Sequence, residues 1–282
     1  MGRIANTVQL AKASWQVLEA DKELLLLPIM SFIATSIVAA TFLVPIFVAG
    51  GVATQGLNAV GFIIFAVMYV SLAFVTIFFN AALVMAADER LRGGDPTLRS
   101  ALRGAWRHVG RILPWAIVSA TVSVILRVIE ERSSMLGRIV ASIFGVAWSM
   151  ATFLVIPVLV MEDVGVVDAV RRSGSLFKQT WGENVAAQVG FGLLGFLAAL
   201  PAVVLVALSV GAGAGLVGVA IVVGVMWVVT VAVVLASLNG IFQAALYRYA
   251  VDGRIPGEYF SHEALSTAFA PRRRPGFTES GI

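Results

Sequence analysis

The sequence predicts an all-α polytopic transmembrane bundle of about six helices, with three amphipathic helices at its cytoplasmic face. Three observations carry that prediction. Apolar residues make up 59% of the 282 positions and charged residues 13%, against roughly 45–50% and about 25% in soluble domains. A water-facing globule of this size could not hide so much apolar surface. Several apolar runs are long enough to cross a hydrocarbon core of roughly 30 Å, which takes about 20 helical residues. The basic residues gather in alternate connections between those runs.

The runs lie near 24–49, 57–87, 112–128, 139–161, 185–210 and 216–247. Each is read as a helix, because an open chain in lipid satisfies its backbone hydrogen bonds only that way. The second and sixth exceed one crossing, which tilt or extension beyond the membrane accommodates. Lys and Arg set the orientation. The two termini and the even connections carry 17 of them, and the odd connections carry three: Arg127, Arg132 and Arg138. Both termini are therefore expected in the cytoplasm of a multi-pass cell-membrane protein. About two dozen amphipathic residues precede the first run, unlike the short basic start of a cleavable signal peptide.

Three connections on the basic side read as amphipathic helices. Near the start, Ile4, Val8, Ala11, Trp15 and Leu18 recur at helical spacing. In the second, Asp95 is expected to cap a helix with Pro96 in its first turn, ahead of a basic stripe of Arg99, Arg103, Arg107 and Arg111. The third covers 166–180, with Val170, Leu176 and Phe177 on one side and Arg171, Arg172 and Lys178 on the other. An apolar face with flanking cations suits a helix lying in the membrane interface, and it equally suits a helix packed beneath its own bundle. After Pro271 the chain is expected to be a disordered basic tail over 271–282, where Arg272, Arg273 and Arg274 can meet anionic headgroups.

The pattern repeats. Lys12-Ala13-Ser14-Trp15 aligns with Arg103-Gly104-Ala105-Trp106, and the third helix, near Val170-Arg171, is more divergent. Phe79-Asn80-Ala81-Ala82-Leu83 at the end of the second run matches Phe242-Gln243-Ala244-Ala245-Leu246 at the end of the sixth. The fourth run keeps Leu159-Val160-Met161, and an acid follows each: Asp88, Glu162 with Asp163, and Asp252. The unit is an amphipathic helix plus a transmembrane hairpin, with copies near 1–94, 95–163 and 164–260 inside one domain, 1–270. Two crossings per unit keep all copies parallel.

The Trp-bearing opening helix and the closing Phe242-Gln243-Ala244-Ala245-Leu246-Tyr247-Arg248-Tyr249-Ala250, followed by Gly253-Arg254-Ile255-Pro256, resemble an uncharacterised prokaryotic family of six-span membrane proteins, a domain of unknown function. The closing segment is also similar to the membrane domains that anchor some bacterial phosphodiesterases. The resemblance implies an architecture and transfers no functional residue.

Chemistry is sparse. There is no cysteine, so thiolate nucleophiles and cysteine-ligated metals are excluded. The two histidines, His108 and His262, stand far in sequence from any acidic cluster. No phosphate loop or nucleophile–base pairing is visible, and no cofactor is expected. The net charge of +4 sits in short connections and suits anionic lipid, not nucleic acid. Arg127 is the one ionisable residue inside a run, and a salt-bridged helix end with Glu130 or Glu131 is its expected role. Buried charge usually marks ion pathways, so its scarcity argues against proton coupling. Asn80, Gln188, Asn239 and Gln243 are the strongest polar groups in the runs and are expected at interhelical contacts.

The reading is of a non-catalytic membrane module that organises lipid or a protein partner, a second copy included. The alternative is a permease or lipid-handling transporter component without proton coupling.

Overall fold

In the computed structural model, described over residues 3–48, 59–181, 186–211 and 213–252, every regular element is helical. Helix α1 (Arg3–Ala20) leads through a 3₁₀ turn (Lys22–Leu25) into α2 (Leu26–Val48), and α3 (Ala59–Leu91) returns. Next come α4 (Leu98–Arg107), α5 (Val109–Arg132), α6 (Met135–Thr152) and α7 (Val155–Met161). Then follow α8 (Val166–Trp181), α9 (Ala186–Ser209) and α10 (Ala214–Asp252). Among the described residues, five stretches are long and apolar enough to cross a membrane: Lys22–Pro45, Gly61–Leu91, Val109–Arg132, Met135–Met161 and Ala214–Asp252. Leu194–Ser209 within α9 is a shorter apolar helix.

The long helices differ in burial along their length. With 39 residues, α10 runs about 58 Å, nearly twice a hydrocarbon core. Its first half exposes Val219, Val222 and Met226, while Ile241 to Leu246 are sealed from solvent. The same holds for α3, which exposes Phe62 and Ile63 and buries Ala81 to Val84. The bundle is thus closed at one end and presents apolar side chains to its surroundings at the other. The closed end carries α1, α4 and α8, and is called the basic end below. Its core joins Val17, Leu24, Ala105, Ile112, Leu154 and Leu176 to the ends of α3, α7 and α10.

The packing order is cyclic. Helix α4 rests on α3, α8 rests on α6 and α7, and α1 rests on α10. Each short helix therefore covers the long helix that precedes it, and α1 closes the circle on the last. Helices α3, α7 and α10 contact one another at the centre. Close approach is bought with glycine: a Cβ on Gly240 of α10 would lie 2.8 Å from Leu83 Cγ of α3. A Cβ on Gly104 would lie 2.6 Å from Met85 Cε, and one on Gly195 2.8 Å from Leu235 Cδ1.

Two helix boundaries depart from the sequence reading. The run 139–161 is not one helix, because it breaks at Phe153 and Leu154 between α6 and α7. Pro157 explains this: it donates no hydrogen bond, and its ring collides with the carbonyl four residues back, which belongs to Phe153. The buried donor freed at the break is satisfied from another helix, since Leu154 N–H donates to Ser173 Oγ of α8 at 3.1 Å. Pro45, Pro114 and Pro201 by contrast lie inside helices that stay continuous. The second departure is at α4, whose cap is Thr97 and not Asp95. Thr97 Oγ1 accepts from Ser100 N at 3.1 Å and Ser100 Oγ accepts from Thr97 N at 3.0 Å, a reciprocal box. Asp95 instead meets Arg90 at 3.4 Å. Helix α4 also ends at Arg107, so the basic stripe has three members and Arg111 belongs to α5.

Candidate functional site at the basic end

The site is built from α4 and α8 laid against the ends of the long helices. On α4, Ala101 and Ala105 are buried, and the N-terminal Leu98 N–H is held by Glu23 Oε2 at 3.0 Å. Four-residue spacing then forces Arg99, Arg103 and Arg107 onto the other face, where all three are exposed. None of the three makes an ion pair among the described residues. Trp106 stands beside them, 69% exposed, with its ring edge-on to Phe78 at 6.1 Å. On α1, Trp15 is also exposed, and its Nε1–H donates to Glu19 Oε1 at 2.7 Å.

The other expected headgroup residues divide. Arg111 is tied to Asp163, which His108 Nε2 also approaches at 3.3 Å. Arg172 pairs with Glu162 at 3.2 Å, whereas its neighbour Arg171 is exposed and makes no ion pair among the described residues. Lys178 falls in α8, but its side chain lies outside the described ones, as do all of Arg272, Arg273 and Arg274. The basic residues thus form two sets: Arg99, Arg103, Arg107 and Arg171 face outward, while Arg111 and Arg172 tie helices together.

Inside this basic shell the acids that end the long helices are neutralised. Arg248 of α10 holds Asp88 of α3 through Nε and Nη2, with Nη2 to Oδ2 at 2.9 Å, and its Nη1 reaches Asp252 at 3.1 Å. Arg92 adds a second cation to Asp88 at 2.8 Å. Tyr247 O–H donates to Glu162 Oε1 at 3.2 Å, linking α10 to the end of α7. The neighbouring arginines in sequence suggested charge balance, but not that it would cross between α3 and α10. Arg127 pairs with Glu131 at 3.0 Å at the opposite end of the bundle. Asp21, at the joint of α1 and the 3₁₀ turn, is buried, and burial raises its carboxyl above the ordinary value. The Glu23 N–H donated to Asp21 Oδ1 at 3.1 Å and the nearby Arg90 act in the other direction.

The polar groups of the spans gather near the basic end. Asn80 and Asn239, with Thr35 and Thr76, line a cavity of about 490 Å³ between α2, α3 and α10. Asn80 Oδ1 would lie 3.6 Å from a Cβ on Gly240, so it packs on the α3–α10 contact. Gln243, one turn beyond Asn239, is buried, and its Oε1 has no partner among the described residues. Gln188 falls in α9 with its side chain outside the described ones. The sequence marked the two asparagines but not that they share a groove, because the groove needs α2 as its third wall. Among the described residues no three His, Asp or Glu side chains converge as metal ligands would.

An all-helical chain with several membrane-length apolar helices and one charge-rich end defines a polytopic α-helical membrane protein. It belongs to a family of unknown function, DUF6159, whose profile matches residues 59–257. The match runs from the start of α3 past the end of α10 and includes the closing segment, but leaves out the Trp-bearing α1. No curated protein and no solved structure matches the chain.

Proposed function

We propose that this chain is a six-span, non-catalytic membrane module whose basic end lies in the cytoplasm and gathers anionic lipid. The observation that carries this reading is the set Arg99, Arg103 and Arg107, exposed and without an ion pair among the described residues, opposite the buried Ala101 and Ala105 of α4. Cations that serve only to stabilise the fold find carboxylates, as Arg111, Arg172 and Arg248 do. The three on α4 are aimed away from the protein, beside an exposed Trp106 of the kind enriched at membrane interfaces. An arginine near an anionic surface is worth about 1 kcal/mol. The sixth span in this reading is α9, whose 24 residues are enough for one crossing. Similarity of the closing segment to phosphodiesterase membrane anchors belongs to the same reading, as an anchor-like architecture.

The repeat is part of the proposal. Ser14, Ala105 and Ser173 stand two residues after Lys12, Arg103 and Arg171, and each of the three is 0% exposed while each cation is exposed. Together with the cyclic packing of α1, α4 and α8, this supports three parallel copies of one helix-plus-hairpin unit.

The test is purification of the full chain from membranes with quantification of co-purifying lipids. Arg99→Gln, Arg103→Gln and Arg107→Gln combined should lower the ratio of anionic to zwitterionic lipid at least about tenfold, from roughly 1 kcal/mol per arginine. An unchanged ratio in a folded triple variant would remove the proposal. A lipid-handling transporter component is the second reading, and the cavity between α2, α3 and α10 is the observation in its favour.

A further inference from the structure

We infer that the groove between α2, α3 and α10 is a binding site for one acyl chain of a neutral glycerolipid, whose ester carbonyl accepts hydrogen bonds from Asn80 and Asn239. The inference rests on the membrane-embedded reading above but not on the headgroup role of the α4 arginines.

Three features of the groove select that ligand. Its volume of about 490 Å³ lies inside the roughly 300–1,000 Å³ typical of small-molecule sites. Its lining contains no Asp, Glu, Lys, Arg or His, so neither an anionic nor a cationic group would find a counter-charge there. Its polarity is graded along α10. At the basic end lie Asn239 and, across on α3, Asn80; three turns deeper the wall is Val228 and Val229. From Val228 to Gly240 the groove extends about 18 Å, close to half the roughly 30 Å hydrocarbon core and hence to one leaflet. A polar mouth at the interface end with an apolar trough toward midplane is the profile of a single lipid tail below its ester.

The two amides supply the recognition. Neither Asn80 nor Asn239 makes a side-chain hydrogen bond among the described residues, so their N–H₂ donors have no acceptor there. In hydrocarbon an unsatisfied amide is costly, and an ester carbonyl is the acceptor that membrane lipids carry at this depth. Gly240 keeps the α3–α10 wall closed behind Asn80, because a side chain there would push Leu83 away. The groove is therefore open to lipid along its length and shut toward the bundle axis.

The test uses the full wild-type chain in phosphatidylcholine vesicles containing a diacylglycerol with a photoactivatable acyl chain, followed by mapping of the labelled peptides. Labels should concentrate on the peptides of α2, α3 and α10 that contain Phe32, Phe79 and Val229. Excess unlabelled diacylglycerol should reduce them several-fold, and an alkane of equal chain length should not. Asn80→Leu with Asn239→Leu should weaken labelling about tenfold, as the loss of two hydrogen bonds implies. Labels spread evenly over the lipid-facing residues of α5 and α6, or alkane competing as well as diacylglycerol, would overturn the inference. Retention of the chain in vesicles after an alkaline wash reports on the membrane reading separately. Retention without localised labelling therefore counts against the groove alone.

Discussion

Arg248, near the end of α10, holds Asp88, near the end of α3, at two points across a distance of 160 residues in sequence. The two side chains are only 18% and 10% exposed, so the pair joins the central helices inside the basic end. Breaking a buried pair by removing one partner strands a charge, which costs about 3–5 kcal/mol when burial is complete. Here Arg92 remains as a second partner of Asp88 and solvent screens part of the charge. Arg248→Ala is expected to destabilise by about 1–3 kcal/mol, with Arg248→Lys intermediate because it loses the two-point geometry. Thermal melting of the purified chain in detergent checks this, and equal melting of all three proteins would contradict it.

Ser14 of α1 and Ser173 of α8 are both fully buried but differ in partners. Ser173 Oγ accepts from Leu154 N–H at the α6–α7 break, while Ser14 Oγ has no hydrogen-bond partner among the described residues. Ser173→Ala would orphan a buried amide and cost about 1–3 kcal/mol. Ser14→Ala removes only a hydroxyl without a partner among the described residues and should be neutral or stabilising. Melting temperatures that move alike in the two variants would refute the distinction.

Two glycines of α10 should respond oppositely to alanine. A Cβ on Gly240 collides with Leu83, whereas one on Gly224 meets its nearest neighbour, Val206 Cγ2, at 3.5 Å. Gly240→Ala should cost about 1–3 kcal/mol through overpacking, and Leu83→Ala in the same chain should recover part of it. Gly224→Ala should be neutral or stabilise by about 0.5–1 kcal/mol through helix propensity. Chemical or thermal denaturation of both variants decides the matter.

Asp21 gives stability a pH dependence of defined sign. Its folded value is raised by burial above the ordinary 3.8. The native state therefore binds the proton more tightly than the unfolded chain, and this contribution is fully present below the ordinary value. It is lost as pH rises through the raised one. Asp21→Asn keeps an oxygen that can accept from Glu23 N–H and carries no charge. At neutral pH it should melt no lower than the native chain, and its advantage should shrink as the medium is acidified. A variant that melts lower at neutral pH and equally in acid would contradict this.

The helices were legible because lipid demands them. The observed α2, α3, α5, α9 and α10 begin and end within a few residues of the apolar runs. What escaped the sequence depends on partners distant in the chain. The capping of α4 at Thr97 was hidden because Asp95-Pro96 offers an equally good local start, and Glu23 from the 3₁₀ turn before α2 helps to select the later one. The break before Val155 follows from Pro157, but a proline alone does not reveal it: Pro114 and Pro201 sit in unbroken helices. Ser173 is what makes the break tolerable. The arginines looked equivalent in sequence, and only the fold separates Arg99, Arg103 and Arg107 from Arg111 and Arg172. Trp15 and Trp106 could be matched from residue identity alone, whereas the burial of Ser173 is seen only in the fold.

The absence of cysteine allows the topology to be measured without background. Single cysteines at Gly93 and Gly165 lie at the basic end, and those at Ser134 and Gly213 at the other. In intact cells a membrane-impermeant maleimide should label the cysteines replacing Ser134 and Gly213, and should reach those replacing Gly93 and Gly165 only after permeabilisation. The reverse pattern would invert the orientation, and labelling at Gly165 and Gly213 from the same side would show that α9 and α10 do not form the third hairpin.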